Sequence, residues 1–160
     1  MSSTEEPTGK FVKAGNIRIH YHETGTGYPL ICTHGAGPGA SAWSNFKGNV
    51  GELSGHYRTI LMDMPQYGKS DKPNIEGGRL AFLAKVVRDF MEALEIKRAH
   101  FVGNSMMRTD YIEAAIDYPE KVARVVVIGS SPIKARSIFH PMPLDGTGTY
   151  EITTAVIAPA

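Results

Sequence analysis

Gly103-Asn104-Ser105-Met106-Met107 follows the apolar run Ala99-His100-Phe101-Val102, an order that spells a strand turning sharply into a helix with a serine at the apex. A hydroxyl held there projects beyond the sheet edge. The backbone N–H of the next residue, Met106, faces the oxyanion that forms when the serine attacks a carbonyl. The chemistry implied is acyl-type hydrolysis through Ser105. The pattern departs from Gly-x-Ser-x-Gly, because Met107 replaces the second glycine and Arg108 follows it. A side chain at that position pushes apart strand and helix backbones that otherwise pass close together. The motif also admits a plain reading, a serine capping a helix that runs from Met106 toward Asp117.

A second segment bears on the choice. Tyr28-Pro29-Leu30-Ile31-Cys32-Thr33-His34-Gly35-Ala36-Gly37-Pro38-Gly39 is a short apolar strand running into a glycine-rich turn. Such a turn folds back tightly and aims N–H groups outward, as the second donor of an oxyanion hole requires. His34 reads as structural, since no carboxylate or second histidine lies at ligand spacing from it. Neither a P-loop nor a dinucleotide fingerprint fits, because no Gly-Lys-Ser/Thr is in place and the glycine spacing is wrong.

Positioning these two turns requires alternating elements. After the first strand come a helix over Trp43 to Leu53, a strand over Tyr57 to Met62 and the loop Asp63-Met64-Pro65-Gln66-Tyr67-Gly68-Lys69-Ser70-Asp71. A long amphipathic helix follows, with Leu80, Leu83, Val87, Phe90, Met91 and Leu94 at helical spacing, then the serine turn and the apolar strand Val122 to Ile128. This order predicts an α/β fold with a mostly parallel sheet and helices on both faces. Met62, Met64, Met91 and Met106 read as packing residues rather than a cofactor site, and Cys32 as a buried strand residue.

The chain resembles the α/β-hydrolase fold family and, within it, the bacterial meta-cleavage product hydrolases, which cleave a carbon–carbon bond in vinylogous 1,5-diketones. The resemblance rests on His34-Gly35-Ala36-Gly37-Pro38-Gly39 with Trp43-Ser44-Asn45-Phe46, Asp63 to Asp71, Gly103-Asn104-Ser105-Met106, Tyr118-Pro119-Glu120-Lys121-Val122 and Pro141-Met142-Pro143-Leu144-Asp145-Gly146, and it spans Asn16 to Gly146. It implies Ser105 as nucleophile, with the N–H of Met106 and an N–H of the Ala36-Gly37 turn as the oxyanion hole. Asn45 and Asn104 would bind the dienoate end of the substrate. Their plain readings are a hydrogen bond within the neighbouring loop for Asn45 and orientation of the serine turn for Asn104. The implied substrate is a 2-hydroxy-6-oxohexa-2,4-dienoate with an alkyl or aryl group, ketonised and then attacked at its distal carbonyl. The products are 2-hydroxypenta-2,4-dienoate and an acid, and no metal or organic cofactor takes part.

In such folds the triad acid and histidine follow the serine on later strands, and no residue here matches either. His140 is the only histidine after Ser105, and it lies in a cap-like segment. The resemblance thus implies truncation within the cap domain, with the C-terminal strands missing. The expected organisation is a flexible N-terminal tail over 1–10, the N-terminal part of the core over 11–131, and the start of a cap or an aberrant tail over 132–160. The threonines and β-branched residues of the final stretch also allow a short strand.

With 160 residues, 42% of them hydrophobic, the chain fits one domain with a real core. A net charge of +1 with dispersed basic residues argues against a nucleic-acid partner, and Lys97-Arg98 suits a helix end. No signal peptide, membrane span or disulfide framework is expected, which points to the cytoplasm. A core without its last strands leaves an edge and helix faces to be covered by association, including a homo-oligomer. Two other functions stay open at this point: a non-catalytic, truncated or degraded hydrolase, and an esterase-type α/β-hydrolase.

Overall fold

A computed structural model describes residues 6–105, 114–115, 117–128 and 152–155. Seven strands form one sheet: β1 Lys10–Ala14, β2 Ile17–Thr24, β3 Pro29–Thr33, β4 Arg58–Met62, β5 Ala99–Asn104, β6 Val122–Ile128 and β7 Ile152–Ala155. Their order across the sheet is β1-β2-β4-β3-β5-β6-β7. The strands from β4 to β7 pair in parallel, with Ile31 opposite Ile60 and Phe101 in the β3–β4 and β3–β5 ladders. The pairings of β1 with β2 and of β2 with β4 are antiparallel, so the sheet is mixed but mostly parallel.

The β1–β2 hairpin is an addition to the strands expected from the sequence. Ile17 to His22 alternate between apolar and polar residues, Lys10 to Ala14 place lysines on either side of Phe11 and Val12, and Gly15 turns the chain between the two strands at φ 59°. This is a half-exposed pattern rather than a buried run. Within 1–10, expected as a tail, Lys10 opens β1, and Lys69 Nζ donates to Glu6 Oε1 at 3.1 Å.

Inside the parallel strands, alternate residues enter two separate cores. Ile31, Ile60, Met62, Phe101, Val125 and Val127 face one side, where they pack with helix α3, Arg79–Ala93. That helix buries Leu83, Ala84, Val86, Val87, Phe90 and Met91, while Leu80 lies off the buried face at 41% exposure. Leu30, Cys32 and Leu61 face the other side, against Ala42 and Phe46. The helix expected over Trp43 to Leu53 is two short ones, α1 Ala42–Phe46 and α2 Val50–Ser54. Gly48 lies in the interruption, where an interior glycine costs about 1 kcal/mol relative to alanine. Both faces of the sheet are covered, which suits the nearly continuous apolar runs of β3 and β6.

Met62, Met64 and Met91 are buried core residues, as expected, and Met106 lies outside the described residues. Cys32 is fully buried, and burial pushes its thiol up to about 12.

Candidate active site

Because β3, β4 and β5 run parallel, the loops at their carboxyl ends emerge along one sheet edge, where ligands bind in open α/β sheets. These loops are the glycine-rich turn from Gly35, the segment from Asp63 and the serine turn at Ser105.

Ser105 follows directly on β5 with φ 54°, in the left-handed region. A non-glycine residue there costs about 1–3 kcal/mol and persists only where the surroundings enforce it. This backbone is that of a sharp turn with the side chain at its apex, and it argues against the plain helix-capping reading, because an N-cap residue takes extended backbone angles. Gly35 lies against it. A Cβ built on Gly35 would stand 3.3 Å from Ser105 Cβ and 3.4 Å from Asn104 Nδ2, so the absence of a side chain lets the two turns meet.

Asn45 links them. Its Oδ1 accepts from the Gly35 N–H at 3.0 Å and from Asn104 Nδ2 at 2.7 Å, joining residues 59 positions apart in the chain. Its own amide donates weakly, at 3.3 Å to the Ser41 carbonyl and 3.4 Å to Ser44 Oγ. Helix α1 presents Asn45 in this way because its start is doubly capped. Ser44 N–H donates to Ser41 Oγ, and Ser41 N–H donates to Ser44 Oγ, both at 3.0 Å. The structure therefore brings Asn45, Asn104, Gly35 and Ser105 together. The Gly35 N–H is occupied by Asn45, which leaves the following turn, Ala36 and Gly37, as the stretch whose N–H groups come into question for an oxyanion. Met106, Met107, Arg108 and His140 lie outside the described residues.

His34 is structural in its contacts. Met64 N–H donates to its Nε2 at 3.2 Å, which makes Nδ1 the protonated nitrogen, and that nitrogen donates to the Gly35 carbonyl at 2.8 Å. Burial holds its pKa below the ordinary range, opposed by the Gly35 hydrogen bond and the charge of Asp63. The ring thus clamps the glycine turn to the β4 loop as a neutral imidazole.

One group that the sequence pattern did not single out supports the whole edge. Asp63, 1% exposed, accepts from the Ala42 N–H at 2.7 Å, from His20 Nδ1 at 2.8 Å and from the Lys69 N–H at 3.2 Å. Ser70 Oγ donates to the Asp63 carbonyl at 2.7 Å and accepts from the His20 N–H at 2.9 Å. Gly68 makes this possible: its φ is 49°, and a Cβ there would overlap the Asp63 carboxylate. The available signal was an acidic residue at a strand end followed by Pro, Gly, Ser and Asp, a turn whose carboxylate has to be buried for the loop to close.

Residues 28–150 match the model of the alpha/beta hydrolase fold family. The chain is 40% identical over 149 residues to a 2-hydroxy-6-oxo-6-phenylhexa-2,4-dienoate hydrolase of Burkholderia cepacia, covering 89% of this chain and 52% of that protein. It is also 40% identical over 152 residues to a 2-hydroxy-6-oxononadienedioate/2-hydroxy-6-oxononatrienedioate hydrolase of Paraburkholderia phymatum, covering 91% and 52%. Among solved structures, a meta-cleavage product hydrolase from Pseudomonas fluorescens aligns with TM-score 0.73 and 36% identity over 77% of this chain and 45% of that one. A serine hydrolase involved in carbazole degradation aligns with TM-score 0.74 and 33% identity over 81% and 50%. The chain spans about half the length of the curated relatives it matches.

Proposed function

The chain belongs to the α/β-hydrolase fold family, and from that membership we propose that Ser105 is the nucleophile of a serine hydrolase that cleaves the carbon–carbon bond of meta-cleavage dienoates in aromatic catabolism. The observation that carries this reading is the left-handed Ser105 at the end of β5, in contact with the Gly35 turn. Similarity to hydrolases of two different dienoates supports the substrate class.

In this reading the substrate is ketonised first. The Ser105 hydroxyl then adds to the distal carbonyl while its proton passes to a base, and the oxyanion is held by the N–H of Met106 and an N–H of the Ala36-Gly37 turn. Collapse breaks the carbon–carbon bond and releases 2-hydroxypenta-2,4-dienoate, and water then hydrolyses the acyl-serine to the acid. Asn104 keeps one amide N–H beyond its bond to Asn45 and offers it to the dienoate end. Asn45 acts on the turns first, through its oxygen, and on substrate only through its weakly engaged amide. The enzyme is placed in the cytoplasm, with a small-molecule dienoate as its partner and self-association as a means of covering an exposed edge.

A second reading is a family member that keeps the serine turn without turning substrate over. The test is loss of the visible absorbance of 2-hydroxy-6-oxo-6-phenylhexa-2,4-dienoate. The wild-type chain removes it, Ser105→Ala does not, and a p-nitrophenyl ester reacts more slowly. No loss with folded wild-type chain supports the second reading. Faster hydrolysis of the simple ester supports an esterase.

A further inference from the structure

His20 and His22 stand two residues apart on β2, so their rings lie on one face, with centroids 4.9 Å apart and planes at 86°. Both are at least nine-tenths buried, at 1% and 6% exposure. His20 Nδ1 donates to the Asp63 carboxylate at 2.8 Å, which leaves Nε2 with the lone pair. His22 Nε2 donates to the Pro7 carbonyl at 2.9 Å, which leaves Nδ1 buried without a hydrogen-bond partner. The Glu6 carboxylate approaches from the segment before β1, with Oε1 3.7 Å from His22 Nε2 and 3.1 Å from Lys69 Nζ. One ring nitrogen of each histidine and a Glu6 oxygen lie within 4.8 Å of one another.

We propose that Glu6, His20 and His22 form a binding site for a divalent transition cation of the zinc class. Two imidazoles and one carboxylate make a borderline donor set that suits Zn2+ or Co2+, whereas Ca2+ and Mg2+ call for oxygen ligands. Bonds of about 2.0–2.2 Å place donor atoms about 3.4 Å apart in a tetrahedral shell. The three groups close to that spacing chiefly by movement of Glu6, the exposed member. His20 is already oriented for the task, since a carboxylate behind a ligating imidazole fixes its tautomer and ring plane. Asp63 is itself held by the Ala42 and Lys69 N–H groups. A neutral imidazole offers its lone pair at either nitrogen by tautomer exchange, so His22 completes the set by moving its proton to the unpartnered Nδ1 and releasing the Pro7 carbonyl from Nε2, the nitrogen that faces Glu6.

The cation displaces Lys69 from Glu6 and staples the segment before β1 onto β2. Three protein ligands leave a fourth position to water. The site is joined to the Ser105 edge only through Asp63, behind His20, and takes no part in the Ser105 chemistry. Among the described residues, His56 and Glu52 form the competing surface pair, at 3.6 Å and exposed to solvent.

The test uses the chain stripped with EDTA and then titrated with Zn2+ by calorimetry and with Co2+ by visible absorption. One equivalent binds, Co2+ develops the d–d bands of a low-symmetry site, Zn2+ raises the melting temperature, and Mg2+ does neither. Glu6→Gln and His22→Asn each weaken Zn2+ binding by about tenfold or more, while His56→Ala leaves it unchanged. Glu6 is exposed, so its variant folds and its result counts either way. Unchanged binding in Glu6→Gln and His22→Asn, loss of binding in His56→Ala, or no binding by the folded chain would overturn the assignment.

Discussion

Replacing Asn45 by alanine removes one acceptor and strands two donors. The Gly35 N–H belongs to a buried residue, and leaving such a group without a partner costs about 1–3 kcal/mol. The Asn104 amide is half-buried and finds water in part, so its loss adds about 0.5 kcal/mol. The sum, centred near 2 kcal/mol, lowers the melting temperature by about 4–8 °C in a chain of this length. Asn45→Asp keeps an oxygen facing both donors and gives up only the long contacts to Ser41 and Ser44. It should therefore lose less than half as much. Urea unfolding at neutral pH, with the slopes checked for equality among the three proteins, reads the difference directly. If Asn45→Ala falls within about 0.5 kcal/mol of wild type, or if the two variants are equally destabilised, Asn45 is not the acceptor that ties the glycine turn to the serine turn, and its role would lie with substrate alone.

Gly68→Ala forces a side chain into the Asp63 carboxylate at a positive φ and should cost more than about 2 kcal/mol in the same assay; a neutral outcome would mean that the Asp63 loop closes differently. Cys32 should resist Ellman's reagent in the folded chain and react once unfolded in urea, since burial holds its thiol near 12. Rapid native reaction would place β3 outside the core. His34 and His100 have pKa values lowered chiefly by burial, with Arg124 and Arg98 adding to the effect at His100. Both therefore bind protons more weakly folded than unfolded. The stability they allow is full above about pH 6.5 and is lost as the pH falls through their folded values. The urea midpoint should decline between about pH 7 and pH 5, less steeply in His100→Gln, and a flat midpoint contradicts the neutral His34 clamp.

Much of this architecture was legible because β3 and β6 are nearly continuous apolar runs, β4 and β5 carry shorter ones, and α3 repeats its apolar residues at helical spacing. The meeting of Gly35 with Ser105 was legible as chemistry, since both lie where parallel strands end. The β1–β2 hairpin escaped notice because polar residues interrupt both strands, with Lys10 and Lys13 in β1 and Arg18, His20 and His22 in β2, so neither reads as a buried run, although Ile19 to His22 are all buried. The break between α1 and α2 turns on Lys47-Gly48-Asn49, a signal weaker than the apolar pattern on either side. Asn45 carried two readings in the sequence, and spacing cannot reveal a partner 59 residues away. The Asp63 network and the Glu6, His20 and His22 cluster were hidden for the same reason. Each joins segments that only strand pairing brings together, and a buried carboxylate has no signature until the donors around it are known.

The proposed nucleophilic role of Ser105 rests on the left-handed turn that presents it at the end of β5. A fluorophosphonate probe, read by intact mass and peptide mapping, tests this without assuming a substrate. One adduct per chain is expected, on Ser105, absent from Ser105→Ala. Folded wild-type chain that takes up no probe, or takes it up on another residue, would contradict it.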